Sequence, residues 1–166
     1  MTAQPASQAA SPGQDGRGRL TVCAPLSLEA RALRRGLPGS VPDGSVPGGS
    51  VTVRRTGYGP RRAATAAGWL REDRADALAV AGTCGGLAPE LVPGDLVVAT
   101  RIIGPDGETA ASCPAAPLLA GELRRAGLTV HEGPVATVTS LFDAGQRARA
   151  AQAGAIAVDM ESSFLA

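Results

Sequence analysis

The chain has 166 residues, 44% of them apolar, which suits one domain of ordinary size with a sizeable core. Sixteen basic residues against fifteen acidic ones leave a net charge of +1, so there is no electrostatic footprint for nucleic acid or anionic lipid, and small weakly charged ligands are favoured. With 2% aromatics, 22 Gly and 13 Pro, the interior must be packed by Ala, Val and Leu; neither a G-x-y period nor sustained heptads are present.

Every basic residue is Arg, and Lys and Asn are missing, a signature of GC-rich coding that strips raw Arg counts of functional weight. No apolar run approaches the roughly 18 residues of a membrane span, and no charged segment precedes an apolar one at the N-terminus, so a cytoplasmic chain without a signal peptide is expected. Cys23, Cys84 and Cys113 form no C-x-x-C pair, and His131 is the single histidine, which supports neither a disulfide framework nor a metal site.

Residues 1–18 carry too little apolar surface to offset ordering entropy and predict a disordered tail ahead of a domain over 19–166. LTVCA (20–24) predicts a buried strand. SLEARALRRGL follows as a helix, with Leu28, Ala32 and Leu33 at helical spacing behind the cap candidate Ser27. The turn formers of 38–50 predict a surface loop, VTVRRTG a second strand, and PRRAATAAGWLRED a helix opened by Pro60. ADALAVAG is apolar throughout, as a strand covered on both faces would be.

After the glycine loop GTCGGLAP comes the strand in LVPGDLVVATRII, entered by a turn at Pro93-Gly94. A polar connection (104–115), the helix APLLAGELRRAG, two short strands (LTV and PVATV) and the helix DAGQRARAAQAG with Asp143 as cap complete the pattern up to AIAVDM, the last strand. ESSFLA reads as the opening turns of another helix. This alternation predicts a three-layer α/β/α domain with a mainly parallel central sheet. An ending six residues into a covering helix leads to the expectation that the domain is incomplete at the C-terminus.

Four features follow predicted strand ends: Glu29, the turn Gly57-Tyr58-Gly59, the loop GTCGG (82–86) and Asp159-Met160-Glu161. In an open parallel sheet, ligands bind outside the carboxyl ends of strands, so these features can converge on one pocket. Glycines let backbone approach a ligand, and Thr83 adds a hydroxyl for an anion or a sugar; the plainer reading is a simple inter-strand turn. No Lys follows to make a phosphate-binding P-loop, and the spacing is not a dinucleotide fingerprint. Glu161 can accept hydrogen bonds from the vicinal hydroxyls of a ribose, or simply favour a helix N-terminus. Met160 is a core or ligand-wall residue. Glu29 is a general acid or base, or a solvated first-turn carboxylate. A nucleophilic Cys84 would need His131 as its base, and the pairs Arg54-Arg55 and Arg61-Arg62 read as solvated surface.

Taken in order, CAPLSLEARAL, TGYGPRRAA, VAGTCGGLAPELVPGDLVVATRII and AIAVDMESSFLA resemble the nucleoside phosphorylase and nucleosidase superfamily, which includes purine nucleoside phosphorylases and methylthioadenosine/S-adenosylhomocysteine nucleosidases. The resemblance covers about residues 20–166, and only about the first two thirds of a family domain. It implies cleavage of the N-ribosidic bond of a purine, adenosyl-type nucleoside through an oxocarbenium-like transition state. Glu161 would bind the ribose hydroxyls, with Met160 against the sugar. Thr83 and Gly85 would lie beside the ribose or phosphate. Glu29 would be the catalytic residue that orients or deprotonates attacking water. No metal or organic cofactor is implied; inorganic phosphate would be a co-substrate in a phosphorylase, and a homo-oligomer is expected. The VDMES ending looks most like hopanoid-associated phosphorylases.

Many phosphorylases place an Arg at the start of the glycine-loop motif and another in the first loop. Here Val80 stands in the former place, and no Arg lies between Leu20 and Ala30, which weakens phosphorolysis. The family's catalytic Asp, which protonates the leaving base, lies in a later strand and loop, so cleavage is expected to be lost in residues 1–166 alone. The alternative is a catalytically incomplete remnant acting as a nucleoside-binding or protein-interaction module.

Overall fold

The structure, a computed structural model, describes residues 18–37, 45–46 and 49–166. Most of the expected tail and most of the expected loop over 38–50 lie outside the described residues; Gly18, placed in the tail, opens the first strand, and Ser45 and Val46 form a short strand. In chain order the elements are β1 (Gly18–Ala24), α1 (Ser27–Gly36), β2 (Ser45–Val46), β3 (Gly49–Arg55), α2 (Pro60–Leu70), β4 (Ala77–Val80) and β5 (Gly85–Gly86). There follow β6 (Leu96–Ile103), β7 (Thr109–Ser112), α3 (Ala116–Arg125), β8 (Val130–Thr137), α4 (Ala144–Gln152), β9 (Ala157–Asp159) and α5 (Ser162–Leu165).

The strands form two sheets. One has the order β2-β3-β1-β4, with β3, β1 and β4 parallel; the other has the order β5-β9-β8-β6-β7, with β9, β8 and β6 parallel and the outer two antiparallel. Alternation along β1 sets the layers, because successive side chains point to opposite faces. Ala24 packs with Ala30 of α1, whereas Cys23 packs with Ala63 and Ala66 of α2 and Leu165 of α5. In the second sheet, Ile103, Ala136 and Val158 join Ala150 of α4, and their neighbours Ile102, Val135 and Ala157 form a separate cluster. This is the expected α/β architecture, packed mostly by Ala and Val. No helix among the described residues is long and apolar enough to cross a membrane.

Several elements differ from expectation. Ser27 is the first helical residue of α1 and Leu26 its N-cap; the Leu26 N–H donates to Glu29 Oε2 at 2.8 Å, half of a capping box supplied from inside the helix. β4, expected to be covered on both faces, begins with two exposed residues, Leu78 being 43% exposed, and among the described residues it pairs with β1 alone. Within the expected polar connection, β7 pairs antiparallel with β6, its turn closed by the Gly104 N–H on Glu108 O at 2.8 Å and by Gly107 at φ +87°. Gly85 and Gly86, expected in a loop, pair with Val158 and Ala157 as β5.

The two strands expected over 128–138 are one, β8, running through Pro134. Proline has no N–H for the ladder, and β6 absorbs the gap with a bulge: the register passes from Ala99 opposite Gly133 to Ile102 opposite Val135. On the other side the Pro134 carbonyl still accepts the Ile156 N–H at 2.9 Å.

Candidate functional site

The carboxyl ends of β1, β3 and β4 lie side by side in the first sheet and those of β8 and β9 in the second, and the segments that leave all five strands line one cleft. It encloses about 40 Å³ and is lined by Pro25, Leu26 and Glu29 after β1, Tyr58 after β3, Thr83 after β4, Leu141 after β8, and Asp159, Met160 and Glu161 at β9.

Glu161 is 5% exposed. Its Oε1 accepts the Gly59 N–H at 2.7 Å and its Oε2 the Met160 N–H at 3.3 Å, so the carboxylate sits against the N-terminus of α2, where backbone dipoles favour a negative charge. Gly59 caps that helix with φ +87°, a conformation that places its amide at the carboxylate without steric cost. Burial pushes the Glu161 carboxyl above its ordinary value; the Gly59 amide pulls it back, the Asp159 charge raises it, the Met160 amide lowers it and Glu29 raises it. Each oxygen keeps a lone pair for a further donor. Beside it the Tyr58 hydroxyl donates to Met160 Sδ at 3.1 Å, which fixes the thioether as one wall.

Glu29 is held by the turn that follows β4. Its Oε1 accepts both the N–H of Thr83 at 2.8 Å and the Thr83 hydroxyl at 2.9 Å, while Oε2 holds Leu26. A Cβ on Gly82 would stand 3.0 Å from Oε1, so glycine there admits the carboxylate to the turn. The reading of Glu29 as a plain solvated side chain is thereby corrected: it ties α1 to the glycine loop.

Asp159 is buried and bonded at both oxygens. Its Oδ1 accepts the Thr137 hydroxyl at 2.8 Å and Oδ2 the Ser162 N–H at 3.1 Å, and Thr137 in turn accepts the Ser163 N–H at 2.9 Å. These bonds fix the start of α5 and with it the direction of Glu161.

Of the residues expected at the site, Glu29, Thr83, Met160 and Glu161 meet at the cleft. Gly85 does not line it; it lies in β5, where an added Cβ would meet Arg147 Nη1 at 2.9 Å. The Cys84 and His131 pair is not assembled. His131 Nε2 lies 2.9 Å from Asp95 Oδ2 near the start of β8, six residues and about 20 Å from the end that faces the cleft. Burial, and then the Asp159 charge, push the Cys84 thiol up, away from the thiolate a nucleophile needs. Arg54 lies over the Trp69 ring at 5.1 Å, a packing role. Pro25, Leu26 and Leu141 were not singled out by sequence, because apolar loop residues carry no signal until the loops are brought together.

The residues 39–166 match the family model of the Phosphorylase superfamily. No curated protein matches the chain. Among solved structures, the chain is similar to the D198N mutant of Helicobacter pylori MTAN with 5′-methylthioadenosine in the active site, at TM-score 0.75 and 14% identity, over 90% of this chain and 78% of that one. A 5′-methylthioadenosine/S-adenosylhomocysteine nucleosidase from Neisseria meningitidis, in complex with methylthio-immucillin-A, gives TM-score 0.72 and 23% identity over 89% and 78%. A futalosine hydrolase mutant of Helicobacter pylori gives 0.74 and 13% over 89% and 82%. These likenesses show a shared fold, and the family match spans most of the sequence: the chain belongs to the phosphorylase superfamily.

Proposed function

We propose that the protein binds a purine nucleoside of the adenosyl type by its ribose and cleaves the N-ribosidic bond. The observation that carries this reading is the buried Glu161 carboxylate, oriented by Gly59 and Met160 at the cleft it shares with Glu29. Its free lone pairs suit the two vicinal hydroxyls of a ribose, with Met160 against the sugar. As the glycosidic bond breaks, positive charge develops on the ribose ring, and a nearby carboxylate stabilises that charge more than the neutral ground state.

Glu29 serves the nucleophile. With Oε1 occupied by Thr83, its Oε2 retains a lone pair beyond Leu26 to orient an attacking water and accept its proton. Water rather than inorganic phosphate is the better nucleophile for this cleft, because no arginine is among its lining residues. The similar structures hold methylthioadenosine and methylthio-immucillin-A, which supports an adenosyl substrate, and the VDMES residues support a likeness to hopanoid-associated phosphorylases.

The full-length protein, incubated with 5′-methylthioadenosine or adenosine, tests the reading by chromatography of released adenine with and without phosphate. Release without phosphate is expected. Release only with phosphate would make the enzyme a glycosyl-transferring phosphorylase, and nucleoside that binds but is recovered intact would leave a binding module in place of an enzyme.

A further inference from the structure

A second cleft, of about 590 Å³, is lined by Ser27, Ala30, Arg31, Arg34 and Arg35 of α1 and by Arg55 at the end of β3. It shares no residue with the nucleoside cleft. At about 100° per residue, Ser27, Arg31, Arg34 and Arg35 fall on one side of α1, and Glu29 points from the opposite side. The one acidic residue of the helix is thus turned away, engaged by Thr83 and Leu26, and among the described residues no lining side chain is acidic.

The cleft has partial preorganisation. Arg34 Nη2 donates to the Val53 carbonyl at 2.7 Å, which anchors its guanidinium to β3, and Arg55 Nη1 reaches Ser27 Oγ at 3.3 Å. Among the described residues, none of the four guanidiniums has a carboxylate within ion-pair distance. In a chain whose total charge is only +1, four cations around one concavity are a local excess with an energetic cost from mutual repulsion.

We propose that this cleft binds the phosphate chain of a small molecule, two or more linked phosphates. Guanidinium groups engage phosphate oxygens as bidentate forks, and several forks facing one space suit an anion with more oxygens and charge than a single phosphate. The volume lies within the few hundred to 1,000 Å³ of small-molecule sites. Phosphates of a nucleotide and free inorganic polyphosphate present the same chemistry, and the probes separate them.

Calorimetry of the full-length protein with inorganic pyrophosphate, ADP and orthophosphate, in low-salt buffer without divalent metal, is the test. Saturable pyrophosphate binding near one per chain is expected, at least tenfold tighter than orthophosphate and weakened at higher salt. The double substitution Arg31→Ser with Arg35→Ser should weaken it at least tenfold, and R35E alone, which reverses one charge, provides a second variant should the double one fold poorly. Equal binding of ADP and pyrophosphate would identify the phosphate chain itself as the ligand, and pyrophosphate alone would point to the free polyanion. Absence of saturation, ADP binding without pyrophosphate binding, or affinity unchanged in the folded variants would overturn the assignment. Nucleoside cleavage is not read in this experiment, so its outcome is independent of the proposed activity.

Discussion

Glu161 and Glu29 are both first-turn carboxylates in sequence, yet their surroundings give them different energetics. Glu161 is buried, with its carboxyl pushed upward chiefly by desolvation. A folded-state value above the unfolded one means that Glu161 favours folding most when protonated, below its ordinary value, and that this contribution is lost as pH rises through the folded value. Urea unfolding of wild type and Glu161→Gln between about pH 4 and 7 should therefore show wild type losing stability relative to the variant as pH rises; a constant difference would contradict the desolvated site. Glu29 is only partly exposed, and Glu29→Gln should lower turnover about 100-fold or more. Because two of its bonds tie α1 to Thr83 and a third caps the helix at Leu26, the same substitution should cost about 0.5–1.5 kcal/mol of unfolding free energy. Normal turnover with lost stability would make Glu29 a structural residue only. The types and strand-end positions of these residues were legible in the sequence. The bonds from Thr83 to Glu29 were not, since they join residues 54 apart.

Local signals held where the physics is local. Pro60 opens α2, and Asp143 caps α4 by accepting the Gln146 N–H at 3.0 Å, which also draws its carboxyl below the ordinary value. Elements whose existence depends on a partner were not legible: β5 exists because β9 pairs with it, β7 because β6 does, and β8 crosses Pro134 because β6 bulges opposite. ADALAVAG reads as buried because composition reports hydrophobicity and not which edge of a sheet a strand occupies. The same region provides an element-scale prediction. Gly133 faces Ile156, whose Cδ1 would lie 2.8 Å from an added Cβ, so Gly133→Ala should destabilise the fold by about 1–3 kcal/mol in urea. An unchanged midpoint would show that β8 and Ile156 separate at little cost.

At the scale of the molecule, parallel pairing aligns the ends of β1, β3 and β4 in one sheet and of β8 and β9 in the other, and the packing of α5 against α2 with the Gly59–Glu161 bond brings the two sets together, so the site is a consequence of topology more than of any single motif. The same topology leaves β4 paired on one side among the described strands, with Leu78 exposed. An open edge of this kind recruits another chain, so residues 1–166 should sediment as a dimer or larger species, and Leu78→Lys should shift them toward the 16.5 kDa monomer. A wild-type monomer at all concentrations would contradict this. The central claim, that the cleft grips a ribose through Glu161, is tested most directly by calorimetry of the full-length protein with methylthio-immucillin-A, wild type against Glu161→Gln at pH 7. Loss of charge-assisted bonds worth about 1.5–3 kcal/mol predicts affinity weakened tenfold to a hundredfold in a variant that still folds. Equal affinity in the two proteins would contradict it.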